Sequence, residues 1–355
     1  MRQLKTTGLA AMLGALLMAA PAMAQAPRPA PAAPTTPAAD CPIQTAPGRF
    51  PFRSTSAASP GNDGIVPAGF VAPQGIPVLH GVDASKWQRS TDFNRVRACG
   101  GSFAYIRLTA GRRPDLELEY RSHWAATRAA GLVAGPYHAL TLVDPPAAWS
   151  SLSPAQKAAN LAANLASAEE QAKLFAERLR EVLLLEQRSA TQTAGNALGA
   201  PYLPIMLAAA TRPLAQASAA DRTAYGEVYR QSMCRWYATV NADPAFAGQV
   251  MGVFSTPFVF QEFNLGAATC DMANRLAWIG HHVSNGDSER RDPDPRNQPA
   301  IRAMCLKPDG TNRCIMQQYT AFASFASYSD TEGLDLDRFY GDQASFNRLL
   351  QTGRR

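Results

Sequence analysis

Two aspartates of this sequence stand where a carboxyl group could take part in acid–base chemistry. Asp83 ends an apolar segment that predicts a strand, and Asp335 lies in the sequence Leu-Asp-Leu-Asp. A carboxyl group at such a position can donate a proton to a bound substrate or accept one from it. Each residue also has a structural explanation, because Asp83 could accept hydrogen bonds from a loop backbone and Asp335 could cap the last helix. Both are therefore candidate catalytic residues.

Polar and aromatic side chains at the ends of other apolar segments are candidates for binding a substrate. They are Tyr137, His138, Trp278, Gln318 and Tyr319. For His138 the alternative is a hydrogen-bonded core residue, which is the commoner role of a histidine within a strand. The cysteines and histidines lack the spacing of a zinc site. The sequence therefore predicts neither a metal nor a cofactor.

These candidates need elements that bring the ends of several strands together. From Ile76 onward, short apolar runs alternate with amphipathic stretches, which is typical of βα units around a parallel sheet. The sequence predicts a long helix over 153–187 and a shorter helix that ends at Gly131. The predicted strands are 78–83, 103–108, 132–140, 203–210, 249–255, 276–280 and 314–319. A single α/β barrel domain over 76–350 accommodates all of them.

The amino terminus has the composition of an export signal. Residues 1–24 carry Arg2 and Lys5 ahead of an apolar run and end in Ala22-Met23-Ala24, which predicts a secretory signal peptide. Residues 25–75 are rich in Pro and Ala and predict a disordered linker. No later apolar run has the length of a transmembrane segment. The chain is therefore predicted to be exported, to the periplasm or to the cell exterior.

The six cysteines and the net charge agree with that location. An even number of cysteines in an oxidising compartment predicts disulfides. Cys305 and Cys314 flank a Pro-Asp-Gly turn and are predicted to form a bridge, whereas the other pairings stay open. The formal net charge of +6 is compatible with anionic wall polymers, and nothing in its distribution predicts a nucleic-acid partner. The sequence predicts no particular oligomeric state.

A series of short motifs resembles glycoside hydrolase family 25, the lysozyme-like muramidases. The motifs follow the family's order from residue 80 to 342, with an insertion over about 141–203. They are Gly81-Val82-Asp83-Ala84-Ser85, Phe103-Ala104-Tyr105-Ile106-Arg107, Gly135-Pro136-Tyr137-His138, Gln171-Ala172, Trp278-Ile279, Gln318-Tyr319 and Leu334-Asp335-Leu336. The resemblance implies a single TIM-like (β/α) barrel with a helical insertion. It also implies catalytic carboxylates at the carboxyl ends of the strands and the glycan of peptidoglycan as the partner.

The sequence departs from the family where its central carboxylates belong. The family has Asp-x-Glu at the end of the fourth strand, but here the matching strand continues into Ala208-Ala209-Ala210. Ala208 therefore replaces the aspartate and Ala210 the glutamate. Losing a positioned general acid or base typically costs about 10²–10⁴-fold in rate. Ala110, Phe254 and Gln317 also replace a glutamate, a tyrosine and an aromatic residue that are usual in the family.

Three hypotheses about function follow. The first is an inactive or impaired descendant that binds peptidoglycan glycan rather than cleaving it. The second is an active muramidase that uses Asp83, Asp335 or an unrecognised replacement acid. The third is a barrel enzyme that acts on another substrate. Glu117 and Glu119 could supply the replacement acid, although carboxylates near the start of a helix are expected to be solvated.

Overall fold

The chain folds into a closed barrel of eight strands that is surrounded by helices. The computed structural model describes residues 50–51, 65–66, 77–88, 90–115, 117–143, 145–146, 148–193, 201–210, 217–267, 269–281, 296, 299–323 and 334–352. The strands are β1 (Phe50–Pro51), β2 (Ile65–Val66), β3 (Val78–Ala84), β4 (Gly101–Ala110), β5 (Val133–Ala139), β6 (Ile205–Ala208), β7 (Met251–Ser255), β8 (Leu276–Gly280), β9 (Cys314–Ala323) and β10 (Leu334–Tyr340). β3 to β10 form the barrel, and β1 and β2 form a separate antiparallel pair. The predicted signal peptide lies outside the described residues, as does most of the predicted linker.

Seven α-helices are described. They are α1 (Phe93–Ala98), α2 (Tyr120–Ala129), α3 (Pro154–Thr193), α4 (Ala219–Ala242), α5 (Pro257–Glu262), α6 (Pro299–Cys305) and α7 (Gln343–Thr352). The helix predicted over 153–187 is confirmed as α3, which packs along α4 and forms the helical insertion. Ser153 begins it with a reciprocal cap, because its hydroxyl accepts from the Gln156 N–H while its own N–H donates to the Gln156 side chain. Among the described residues, none of the helices has both the length and the apolarity needed to cross a membrane.

Alternation along the strands divides the core into two parts. One set of side chains fills the barrel interior, including those of Tyr105, Met206 and Trp278. The opposite set packs outward against the helices, where Phe175 of α3 and Trp236 of α4 lie. Phe346 of α7 belongs to the interior set and lies 5.7 Å from the Phe103 ring. Helix α7 therefore packs into the amino end of the barrel.

The eighth barrel strand runs against the others. β3 to β9 pair in parallel from neighbour to neighbour, whereas β10 pairs antiparallel with both β9 and β3. The apolar pattern predicts no strand here, and one interpretation of Asp335 is that it caps the last helix. Asp342 has that role instead, since its carboxylate accepts from the Ser345 N–H at 2.7 Å. The amino end of β10 consequently lies beside the carboxyl end of β3.

The predicted bridge between Cys305 and Cys314 is confirmed, with an S–S distance of 2.03 Å. A second disulfide joins Cys234 in α4 to Cys270, which lies just before β8. Cys99 is also disulfide-bonded, and Cys41 lies outside the described residues. The described cysteines therefore agree with an oxidising compartment.

Gly81 allows an aromatic ring to lie against the backbone of β3. A Cβ atom added at this residue would lie 2.4 Å from a ring carbon of Phe103. Since that ring is buried in the barrel interior, it has no room to move away.

We expect Gly81→Ala to lower the free energy of unfolding by about 1–3 kcal/mol, the usual effect of overpacking a core. Denaturant titration of the two proteins measures the difference. In a Phe103→Leu background the same substitution should cost less, because the clashing ring is gone. An equal cost in both backgrounds would show that the ring is not the cause.

Candidate functional site at the mouth of the barrel

Three aspartates meet at the carboxyl end of the barrel. Asp335 of β10 pairs directly with Asp83 of β3, and Asp337 pairs with Gly81 two residues away. Because side chains two residues apart on a strand share a face, Asp335 and Asp337 both point inward with Asp83. Asp83 and Asp337 are buried, whereas Asp335 is half-buried. The structure thus brings together both predicted catalytic aspartates and adds a third that was not predicted.

Asp83 is held by one donor on each carboxylate oxygen. The Tyr137 hydroxyl donates to Oδ1 at 3.0 Å, and Gln318 Nε2 donates to Oδ2 at 2.7 Å. Burial raises the pKa of Asp83, while these two hydrogen bonds and the charge of Arg107 oppose the rise. Donors on both oxygens stabilise the ionised form, so Asp83 is the carboxylate of the group.

Asp337 has the opposite environment. The Trp278 indole N–H donates to Oδ1 at 2.9 Å, but no donor among the described residues reaches Oδ2, which is buried. Burial, followed by the charges of Asp83 and Asp335, raises the pKa of Asp337 well above its ordinary value. A buried carboxyl group beside another carboxylate keeps its proton. Asp337 is therefore a neutral acid, and the spacing Asp-x-Asp was the signal in the sequence that could have revealed it.

A buried ion pair lies beside this group. Arg107 Nε donates to Glu117 Oε1 at 2.5 Å, and the other carboxylate oxygen of Glu117 accepts from the Lys86 N–H at 2.8 Å. Only 2% of the Glu117 side chain is exposed. The expectation of a solvated carboxylate at this position was therefore wrong, because the ion pair and the loop backbone hold Glu117 inside. Burial raises its pKa, and the charge of Arg107 opposes that rise.

Two residues predicted to bind substrate point away from the mouth. His138 lies outside the strand layer, where Thr109 and Gln171 satisfy its ring nitrogens and the ring stacks on Trp236. Burial lowers the pKa of His138 to about 4, so the ring is neutral. Tyr319 packs in the same outer core. Neither His138 nor Tyr319 faces the mouth, because adjacent strand residues face opposite ways and Tyr137 and Gln318 occupy the inward positions.

Trp278 does lie inside the barrel, but it is buried rather than open to a ligand. Its ring stacks on Tyr105 with centroids 4.8 Å apart and contacts Phe254 at 4.5 Å. With its N–H on Asp337, the indole forms part of the floor under the carboxyl groups. Its predicted role in direct substrate binding is therefore replaced by a supporting one.

Comparison of this chain with known proteins tests the family resemblance. Residues 82–189, from β3 into α3, match the sequence model of glycosyl hydrolases family 25. The resemblance to family 25 is confirmed. A search of curated protein sequences finds no match to the chain.

Several solved structures are also similar to this chain. A bacterial lysozyme from Streptomyces coelicolor is 18% identical, with 78% of this chain and 97% of that chain covered and a TM-score of 0.47. A family 25 glycosyl hydrolase from Bacillus anthracis is 14% identical, with 76% and 92% covered and a TM-score of 0.46. The catalytic domain of a bacteriophage endolysin of Listeria monocytogenes is 15% identical, with 78% and 98% covered and a TM-score of 0.46.

Two alanines lie at the end of β6. Ala208 faces the interior at the carboxyl end of β6, between its strand partners Ala139 and Phe254. Ala210 follows two residues later and is half-buried. The parallel strands put Ala208 at the same end of the barrel as Asp83. Two methyl groups thus occupy the edge of the mouth at which β6 ends.

Within the described part of the chain, no group of three or more His, Cys, Asp or Glu side chains is arranged to hold a metal ion. The carboxyl groups at the mouth instead accept hydrogen bonds from Tyr137, Gln318 and Trp278. The three described aspartates at the mouth therefore offer one hydrogen-bonded carboxylate, one neutral acid and one half-buried aspartate.

We expect Asp337→Asn to stabilise the protein increasingly as pH rises. The folded state binds the Asp337 proton more tightly than the unfolded chain, whose aspartates titrate near pH 4. The unfolding free energy of the unmodified protein therefore falls above about pH 4, until the pH exceeds the folded pKa, with a slope of at most about 1.4 kcal/mol per pH unit. The amide in the Asp337→Asn variant does not titrate, so the variant does not lose stability in this way as pH rises. Urea titrations of both proteins between pH 4 and pH 8 measure the growing difference.

Asp115→Asn is the control for that experiment. Asp115 is exposed, and its hydrogen bond with Arg113 holds its pKa below the ordinary value. The substitution at Asp115 should therefore give no stabilisation that grows with pH. A stability difference for Asp337→Asn that is the same at every pH would contradict a neutral acid at this position.

Proposed function

We propose that the protein binds the glycan of peptidoglycan at the carboxyl end of its barrel without hydrolysing it. The family 25 match supports a muramidase-like, peptidoglycan-directed function. The proposed absence of hydrolysis rests on one observation. Ala208 and Ala210 place two methyl groups where the family has its central carboxylates. A methyl group neither donates nor accepts a proton.

The remaining acids are poorly placed to replace the lost pair. Glycoside hydrolysis needs one protonated acid at the leaving oxygen and a second group that traps or stabilises the sugar cation. Both oxygens of Asp83 already accept hydrogen bonds, Asp337 is fully buried, and Glu117 is paired with Arg107. Among these four described acids Asp335 alone is half-buried, and a single accessible carboxyl group cannot fill both roles.

Glycan binding does not require the two lost carboxylates. Sugar recognition depends on shape and on polar groups that are fixed before the ligand arrives. At the mouth, Tyr137 and Gln318 are fixed by their hydrogen bonds to Asp83, and that carboxylate lies near Arg107. The alanines at the end of β6 take up less space than the carboxylic side chains that the family has there.

A second candidate function is hydrolysis with a replacement acid. The observation that favours it is the neutral Asp337 beside Asp83, since the mouth thereby retains a proton as well as a carboxylate. In this alternative the proton would reach the glycosidic oxygen through Asp83 or Asp335. The catalytic variants below separate the two candidates.

We also propose that the protein acts outside the cytoplasm. The disulfides Cys234–Cys270 and Cys305–Cys314 support an oxidising compartment, and the amino-terminal sequence predicts a signal peptide. Peptidoglycan lies in that same compartment, so the proposed location and the proposed ligand agree.

The first test measures binding and hydrolysis on the same protein. We expect the mature chain to sediment with purified peptidoglycan but to leave the turbidity of a cell-wall suspension unchanged. An active family 25 lysozyme, run in parallel, shows that the suspension can be cleared. If the unmodified protein clears the suspension and Asp83→Ala or Asp335→Ala abolishes that clearing, the inactive assignment is wrong and hydrolysis with a replacement acid is supported.

The second test restores the missing groups. Ala208→Asp combined with Ala210→Glu should raise hydrolysis by at least about 10²-fold above background, because it returns a positioned acid and its partner. Ala208→Asn combined with Ala210→Gln is the matched control, since it adds the same volume without a carboxyl group. Equal activity of the two double variants would show that the lost carboxylates are not the reason for inactivity.

A further inference from the structure

The loop that follows β4 turns back and brings an acid into the barrel. Gly111 directly follows the strand with a φ of 58°, a left-handed conformation that favours glycine. Ala110 and Arg113 form an antiparallel bridge across this turn, so the chain reverses its direction there. Glu117 lies on the returning segment and is buried. The reversal therefore carries a loop carboxylate back to the mouth.

The Glu117 carboxylate connects two elements of the site. One of its oxygens accepts from Arg107 Nε on β4, and the other accepts from the Lys86 N–H in the turn that follows β3. That turn begins shortly after Asp83 in the sequence. A single side chain thus joins β4 to the segment that leads away from the buried carboxylate of β3.

Arg107 is influenced by two acids but forms a hydrogen bond with one of them. Among the described residues its guanidinium donates to Glu117, whereas Asp83 acts on it through charge. The oxygens of Asp83 accept instead from Tyr137 and Gln318. Removing one partner of a buried pair leaves a costly uncompensated charge. Without Glu117, the mostly buried guanidinium would therefore turn toward Asp83 and compete with its two donors.

We propose that Glu117 is a positioning residue of the mouth. It holds the charge of Arg107 away from Asp83, so that Asp83 keeps its own hydrogen bonds, and it fixes the turn after β3 through the Lys86 N–H. Neither role requires Glu117 to touch a ligand. The positioning role itself goes beyond the proposed function, and only its effect on glycan binding rests on that function.

Ala110 offers a position from which the first role can be restored. Arg107 pairs with Tyr137 and Ala110 pairs with Ala139, and both partners on β5 belong to the interior set. A register shift between Arg107 and Thr109 lets residues of odd separation share that face. Ala110→Glu should therefore supply Arg107 with an acid from the strand. It would not supply one to the turn after β3.

The first role is measured by a carboxyl ¹³C titration of the full mature chain labelled at aspartate, with Asp83→Asn identifying the Asp83 signal. Glu117→Gln should lower the pKa of Asp83, because the released guanidinium moves closer and favours the ionised form. Adding Ala110→Glu should return this pKa toward that of the unmodified protein. Ala110→Gln in the same background is the matched control, since it adds equal volume without charge, and should leave the pKa lowered.

The second role is measured by hydrogen exchange of the Lys86 amide. Glu117→Ala removes the acceptor and should speed this exchange by about tenfold or more, as expected for a hydrogen bond to a charged group. Adding Ala110→Glu should not slow it again. Glu119→Gln is the control from the same loop, because the Glu119 side chain makes no capping hydrogen bond at the start of α2. It should change neither the exchange nor the pKa of Asp83.

The same variants are then sedimented with purified peptidoglycan. Glu117→Ala should bind about threefold to tenfold more weakly than the unmodified protein, because a loosened turn must be ordered when the glycan binds. If the unmodified protein does not bind but the titration and exchange results hold, the proposed function fails and the positioning role stands.

Three results would overturn the positioning role whatever the glycan does. They are an unchanged Asp83 pKa in Glu117→Gln, equal rescue by Ala110→Glu and Ala110→Gln, and unchanged Lys86 exchange in Glu117→Ala. If Glu117→Gln does not fold by itself, the yield of folded protein replaces the titration. Recovery by Ala110→Glu but not by Ala110→Gln then supports the role, and recovery by both or by neither contradicts it.

Discussion

The site depends on the antiparallel pairing between β3 and β10. This contact closes the barrel, and it also sets Asp335 directly opposite Asp83. The same register places Asp337 beside Gly81, where a side chain on β3 is absent and the aspartate can turn inward beside Trp278. Because β10 contributes two aspartates to one face, the barrel must neutralise them. Asp337 does so by keeping its proton and accepting from Trp278, while Tyr137, Gln318 and the charge of Arg107 stabilise the facing Asp83.

The charges of the three aspartates are relevant to the alanines at the end of β6. Buried carboxyl groups that share a site raise one another's pKa, and each added acid increases the cost of burial. Asp83, Asp335 and Asp337 already occupy the mouth, and Asp337 retains its proton as a result. Without carboxyl groups at Ala208 and Ala210, this end of the barrel carries less like-charge repulsion. The proposed binding without cleavage does not require those two acids, and their absence relieves the fold of that repulsion.

Much of the architecture could be predicted from the sequence, because the parallel strands are short apolar runs bounded by loops. Residues such as Tyr105, Ile106 and Leu207 are buried on one side of the sheet or the other, so the apolar pattern marks the strand clearly. β10 was not predicted, because two of its inward residues, Asp335 and Asp337, break the apolar pattern of a buried strand.

The site was harder to predict than the fold. Residue type alone did not tell which member of the pairs Tyr137–His138 and Gln318–Tyr319 faces the interior, because a shift of one residue reverses the face. Glu117 resembled an exposed carboxylate at a helix start, and only the tertiary contact with Arg107 and the Lys86 backbone places it inside. Motif order carried the resemblance to family 25, whereas burial and hydrogen-bond partners required the three-dimensional structure.

The position of α7 has a consequence for the order in which the chain can fold. Its residues Phe346 and Leu350 fill the amino end of the barrel, and the strand that precedes it closes the sheet. The hydrogen bond between Gln318 and Asp83 alone joins residues 235 positions apart. Contacts of such long range form slowly, since the loops between them must be closed first. The barrel therefore stays open at one seam and at one end until β10 and α7 have been synthesised and have packed against the rest.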